Sequence, residues 1–158
     1  MSMKKYLIDT FIFNDTANKK LLLKILQLSD KTGAVKLFSH LINSQYKWMA
    51  RISNDPKAAE MSWWDPLYCF DDLEKQWSKS LDLWLKYIAS KTDEELSDEV
   101  TFIGFDNTKW AANPKDIALQ LNYHSIHHRA QIQTLIRQQG IEPDFLDYIG
   151  TKYRKLTP

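Results

Sequence analysis

Apolar residues recur at three- and four-residue intervals through most of this chain, the spacing of one face of an α-helix. Leu7, Phe11, Asn14, Asn18, Leu21 and Ile25 share such a face and predict a first helix from Met3 to Leu28. Its two inward asparagines are read as a polar helix–helix contact or a capping device, with a polar pocket as the alternative. Ser29 to Gly33 is a turn with capping residues. A second helix follows from Ala34 to Ile52, buried along Phe38, Leu41, Gln45, Trp48 and Ile52, and Asn54-Asp55-Pro56 ends it. The stretch from Met61 to Phe70 carries Trp63, Trp64, Tyr68 and Phe70 around Pro66. It reads as a connection laid over the domain. Core packing is the expectation for most of its rings, and cover over the mouth of a pocket is the alternative.

Asp71-Asp72-Leu73-Glu74 has the form of a capped helix start with Glu three residues on. The third helix then runs to about Ser90, with Leu73, Trp77, Leu81, Trp84, Leu85 and Ile88 inward. Trp77 and Trp84 suit a core better than a ligand-stacking surface. Thr92 to Leu96 forms a single capped turn. The period then changes: Glu99 to Ile103 and Thr108 to Ala111 alternate like short strands around Gly104 to Asn107, predicting a hairpin that must lie against the helices. The last helix is well bounded. Asn113 suits the N-cap, Pro114 the first helical position and Asp116 the positive helix end, while Gly140 and Pro143 mark the stop. On its wheel Ile117, Leu121, His124, His128, Gln131 and Leu135 share one face, which is expected to point into the bundle.

Composition supports a helical fold. Four Gly and five Pro are few for a chain of many turns, and six Trp suit bulky packing between helices. At 158 residues the chain is expected to form one domain, residues 1–158. A net charge of +1 with scattered Lys and Arg argues against a nucleic-acid surface. The one cysteine, Cys69, excludes an internal disulfide and is expected to be buried and inert. Asp9, Asn14 and Asp15 interrupt the apolar run at the N-terminus, so no export signal is expected there. No apolar stretch reaches about 18 residues, so no membrane span is expected. A cytoplasmic protein is the expectation.

The chemistry concentrates in Asn122-Tyr123-His124-Ser125-Ile126-His127-His128-Arg129-Ala130-Gln131, which holds three of the four histidines. His124 and His128 stand one helical turn apart and can reach one metal ion without bending the backbone. His127 falls to one side. The glutamate of the metalloprotease pattern His-Glu-x-x-His is absent. The only other histidine, His40, sits at the margin of the second helix's buried stripe beside Leu37 and Ser44. By position alone it is expected to be a partly exposed surface residue, with a place in a cleft between helices as the alternative. Three histidines would leave coordination positions open, as catalytic sites do. Zinc or nickel would suit them, and iron or manganese also. The competing reading has His124 and His128 as hydrogen-bonded core histidines.

The motif from Asn122 to Ile132 resembles the signature of the DinB/YfiT-like proteins. So do Leu135 to Pro143, Leu146-Asp147-Tyr148, Phe38 to Asn43 with Trp48 beyond, and the short strands before Asn113-Pro114. The resemblance implies an all-α, up-down-down-up four-helix bundle with a small β-hairpin before the last helix. It also implies a divalent metal held by His40, His124 and His128, with His127 outside the ligand set and Arg129 and Gln131 as supporting residues. Proteins of this kind include thiol-dependent transferases that use bacillithiol, mycothiol or glutathione, and others described as metal-dependent hydrolases. A small-molecule substrate and a homodimer are therefore expected, with no nucleic-acid or membrane partner. A non-enzymatic metal-binding protein is the rival expectation.

Overall fold

A computed structural model describes residues 2–104 and 107–156. Its described residues form α1 (Met3–Leu26), α2 (Thr32–Ile52), α3 (Phe70–Ser90), strands β1 (Val100–Ile103) and β2 (Lys109–Ala112), and α4 (Pro114–Gln138). One-turn 3-10 helices stand at Pro56–Ala59 and Tyr148–Thr151. The strands pair antiparallel, from Val100 opposite Ala112 to Ile103 opposite Lys109. Phe105 and Asp106, in the expected hairpin loop, lie outside the described residues. No described helix is long and apolar enough to cross a membrane.

The helix order follows from which ends meet. Met3 and Lys4, at the start of α1, donate backbone N–H groups to Asp93 beyond the end of α3, so these helices are antiparallel. Lys31 lies over the Phe70 ring, bringing the starts of α2 and α3 together, so these two are parallel. Ser29 and Asp30 bond Gln139 past the end of α4, so α2 and α4 are antiparallel. This is the expected up-down-down-up bundle. Helices α1 and α2 each pack against both α3 and α4.

The predicted inward residues of α1 are all buried, from Leu7 to Ile25. Trp77 and Trp84 are fully enclosed, as expected of core residues. Phe11 stacks on Trp84 and Phe38 meets the edge of Trp77. Each indole N–H still finds an acceptor, Trp77 on Asp15 Oδ1 and Trp84 on the Gln45 carbonyl, both at 3.0 Å. That pairing lets such large side chains be buried without an unmet donor.

Several local expectations are corrected. Helix α2 begins at Thr32, so Gly33 lies within it. The Thr32 N–H bonds Asp30 Oδ1, and a Cβ on Gly33 would stand 3.1 Å from Leu135 of α4. A small residue here permits that close approach. Helix α3 starts at Phe70 and forms no capping box. Cys69 occupies its N-cap and is exposed rather than buried, while Asp71 and Asp72 face the positive helix end. Asn113 is the N-cap residue of α4 but makes no side-chain cap. The Lys115 N–H instead bonds the Leu96 carbonyl, tying the helix start to the preceding turn. That turn carries the reciprocal Thr92–Glu95 bonds of a capping box, as expected.

The two asparagines of α1 form a polar helix–helix contact. Asn14 Oδ1 and Asn18 Oδ1 each accept from Arg129 Nη1 at 2.9 Å, and Asn18 Nδ2 donates to Ser125 Oγ at 2.9 Å. Arg129 is 3% exposed, and its guanidinium packs over the Phe13 ring. Burial lowers its pKa to about 10, so it stays charged at neutral pH. Asn18→Ala should therefore destabilise the fold by about 2–3 kcal/mol, because a buried charge loses one of its acceptors. Urea unfolding at neutral pH measures this.

Candidate metal centre

The connection between α2 and α3 folds back over α2 and is held there by α2 side chains. Lys47 Nζ donates to the Met61 carbonyl, Asn43 Nδ2 donates to the Pro66 carbonyl at 3.1 Å, and Ser39 Oγ accepts from the Tyr68 N–H at 3.2 Å. This cover corrects the expectation for His40, which is 7% exposed. A helical wheel places it at the margin of the stripe, but the margin is roofed by a segment more than twenty residues downstream. The Trp64 ring stacks on His40 with centroids 3.9 Å apart and 12° between planes. Trp63 and Trp64 are thus cover over a cleft rather than core.

The Trp63 carbonyl also fixes the tautomer of His40. It lies 2.7 Å from Nδ1, and a carbonyl can only accept, so Nδ1 carries the proton and Nε2 presents a lone pair. His128 is set the same way by a residue on its own helix. Its Nδ1 donates to Gln131 Oε1 at 2.7 Å, leaving Nε2 bare. Both bare nitrogens face His124, whose Nε2 stands 3.0 Å from that of His40 and 2.9 Å from that of His128. The three ligand atoms lie within 4.8 Å of one another.

His124 has at most one proton to offer at Nε2, so at least one of these two contacts sets lone pair against lone pair. A cation at their centre removes that conflict. Two nitrogens about 2.1 Å from one ion stand roughly 3 Å apart or slightly more, the separation His124 Nε2 has from each of its two neighbours, and neutral imidazole donors suit a first-row divalent metal. His127 stays outside the cluster: it is exposed, and its Nε2 lies 3.3 Å from Gln131 Nε2.

The face of α4 differs from its wheel. The residues it buries include Ala118, Asn122, Ser125, Arg129, Ile132 and Ile136, whereas Gln131 is exposed and His124 and Leu135 are half-buried. The helix packs against both α1 and α2, so its enclosed arc is wide, and polar residues on the α1 side hide that arc from a hydrophobicity pattern. His124 and His128 lie on the α2 side of it. A cleft of about 200 Å³ opens beside His40 and His124, walled by Trp48 and Trp63 and reached by Gln120 and Ser44.

The aromatic wall is backed by charge. Arg51 lies 4.8 Å from the Trp48 ring centroid, 4.9 Å from that of Trp63 and 5.1 Å from that of Phe102, so β1 closes over it. Lys47 lies 4.7 Å from the Trp63 centroid. Both cations are buried.

Of the site residues named from the sequence, the fold brings His40, His124 and His128 together, with Gln131 bonded to His128. Arg129 faces α1 and does not touch the cluster. The sequence reading missed the Trp63 carbonyl and the Trp64 ring. Their only signal was the aromatic density of the connection.

A helical bundle with a hairpin before its last helix and three converging imidazoles defines a class of protein that carries a potential metal site between two helices. A model of the DinB superfamily matches residues 29–132, more than half of the chain, and that span includes all three histidines. The chain belongs to the DinB superfamily. Comparison with curated proteins and with solved structures finds no match.

Burial and the neighbouring His128, His40 and His127 lower the pKa of His124 from 6.5 to about 4. Burial also lowers that of His40 against the pull of the Trp63 carbonyl, and that of His128 against Gln131. The site therefore presents neutral imidazoles at neutral pH. Above pH 6.5 neither the folded nor the unfolded chain protonates His124, but between 6.5 and about 4 only the unfolded chain does. His124 should therefore cost the metal-free protein stability as pH falls through that window, a contribution that is complete below it. Urea midpoints taken across the window should fall, and should fall less in His124→Asn.

Proposed function

We propose that this chain is a divalent-metal-dependent enzyme acting on a small molecule, of the thiol-dependent S-transferase type. The observation that carries the reading is the convergence of three Nε2 atoms, two of them held as lone pairs by fixed tautomers. His40, His124 and His128 would hold the ion, with zinc or nickel ahead of iron or manganese. When bound, it supplies a Lewis acid that lowers the pKa of a thiol brought to the cleft.

The chain's own residues do the rest. The Trp63 carbonyl and Gln131 aim the imidazoles and raise their basicity. Trp64 covers one face of His40, and Trp48 and Trp63 form a wall suited to an apolar electrophile. The Gln120 amide offers a polar contact at the opening. Lys47 and Arg51 form no ion pair with a carboxylate among the described residues and set a positive potential behind the wall. This suits a thiol that carries carboxylates, as bacillithiol and glutathione do. None of the described residues lining the cleft is Asp or Glu, the usual base for activating a water. That favours the transferase over the hydrolase.

Protein purified without an affinity tag should carry close to one metal ion per chain, and the His124→Ala, His128→Ala double variant should carry only traces. Elemental analysis decides this, and a wild type that can be neither isolated with metal nor reloaded overturns the reading. Gln131→Ala should weaken metal binding about 10–100-fold while leaving the fold intact, as read by competition with a chelating dye. With metal bound, turnover of a chlorinated aromatic acceptor should require bacillithiol, mycothiol or glutathione. Failure with every thiol would remove the transferase assignment while leaving the metal result standing.

A further inference from the structure

Arg51 lines a cavity of about 280 Å³ between the end of α2, the 3-10 helix that follows it and the hairpin. Its guanidinium carbon lies 5.1 Å from the centroid of the Phe102 ring, and Phe102 lines the same cavity, so the charged end of the side chain stands at this wall. The two tryptophans beside Arg51 wall the histidine cleft, yet no described residue lines both cavities.

This guanidinium is a buried charge without an anion. Arg51 is 7% exposed, and its charged group makes no hydrogen bond or ion pair with any described residue. Burial lowers its pKa, and no carboxylate among the described residues raises it back. The three rings around it attract the charge but offer no oxygen to its five N–H donors. Nε is enclosed and unbonded. The two Nη atoms are also unbonded but are not enclosed, so the surface this side chain keeps includes its donor edge. Buried arginines are as a rule paired, because an uncompensated charge in the interior is costly.

The walls set the chemistry of what fits. The charged residues lining the cavity are Arg51, Lys109 and Asp55, two cations and one carboxylate, which leaves one net positive charge. That balance suits a monoanion over a dianion. A guanidinium edge presents parallel N–H groups that match the two oxygens of a planar carboxylate. Phe102, Ile103 and Ala58 add apolar wall. A cavity of roughly 150 Å³ holds benzene, so the space here takes a carboxylate together with an apolar ring. We propose that this cavity is a second ligand site, for a small monocarboxylic acid with an apolar body, bound through Arg51 and independent of the histidine cleft.

The test titrates the full chain, labelled with nitrogen-15, with benzoate, benzamide, phenylphosphonate and acetate in a slightly alkaline buffer free of other carboxylates and phosphates. Benzoate should shift the Arg51 Nε–H signal, assigned by its absence in Arg51→Lys, to saturation. Benzamide lacks the charge, phenylphosphonate carries a second one and acetate lacks the ring, and each should bind about tenfold more weakly. The backbone amides of Thr101 and Lys109 give a second reading, and Arg51→Gln should remove their saturable shifts. Ala59 also lines the cavity and is exposed, so Ala59→Trp should fold normally and exclude benzoate by filling the space. The His124→Ala, His128→Ala variant should bind benzoate as the wild type does, which separates this site from the metal reading. Absence of saturable shifts overturns the proposal. So does any of the other three probes binding as tightly as benzoate, binding that survives Ala59→Trp, or binding that is lost with the two histidines.

Discussion

The orientation of α4 depends on Arg129. A guanidinium can be buried only where acceptors meet it, and the acceptors here are the carbonyl oxygens of Asn14 and Asn18, one turn apart on α1. Rotating α4 about its axis would strand a charge in the core, at a cost of several kcal/mol. With the helix pinned on that side, His124 and His128 have no choice but to face α2. A residue that never touches the three histidines therefore sets the direction in which two of them point.

The opposite wall is set by a different kind of bond. Helix α2 contributes only His40 to the cluster, and that ring is aimed by a carbonyl from the connection above it. Arg51 and Lys47 then brace the tryptophans of the connection and of α2 through the faces of their rings. The hairpin completes the brace by laying Phe102 against Trp48, with centroids 5.1 Å apart. A two-stranded hairpin is marginal alone, and its place here is to close the aromatic wall beside the cleft.

Much of this was legible in the sequence, and what escaped has a common cause. The inward residues of α1 and α3 were visible because burial on one side of a helix writes a 3.6-residue period. The polar contact of Asn14 and Asn18 was visible as two polar residues on an apolar face. His40 was misplaced because its cover comes from a distant segment, and a wheel knows nothing of what lies above it. The wide buried arc of α4 was missed because Asn122, Ser125 and Arg129 are paired with α1 and read as solvent-facing until their partners are known. Cys69 was misjudged because it lies in the connection just before α3, where no periodicity reports burial.

The manner in which the connection is attached has an evolutionary consequence. Lys47, His40 and Asn43 grip it by the carbonyl oxygens of Met61, Trp63 and Pro66, which every amino acid possesses. These three bonds are blind to the side chains of the segment they hold, although Trp63 and Trp64 add ring contacts of their own. Residues above the cleft can be exchanged while the same three backbone atoms go on bonding to α2. A lineage carrying this scaffold can retailor what enters the cleft without rebuilding the histidine cluster beneath it.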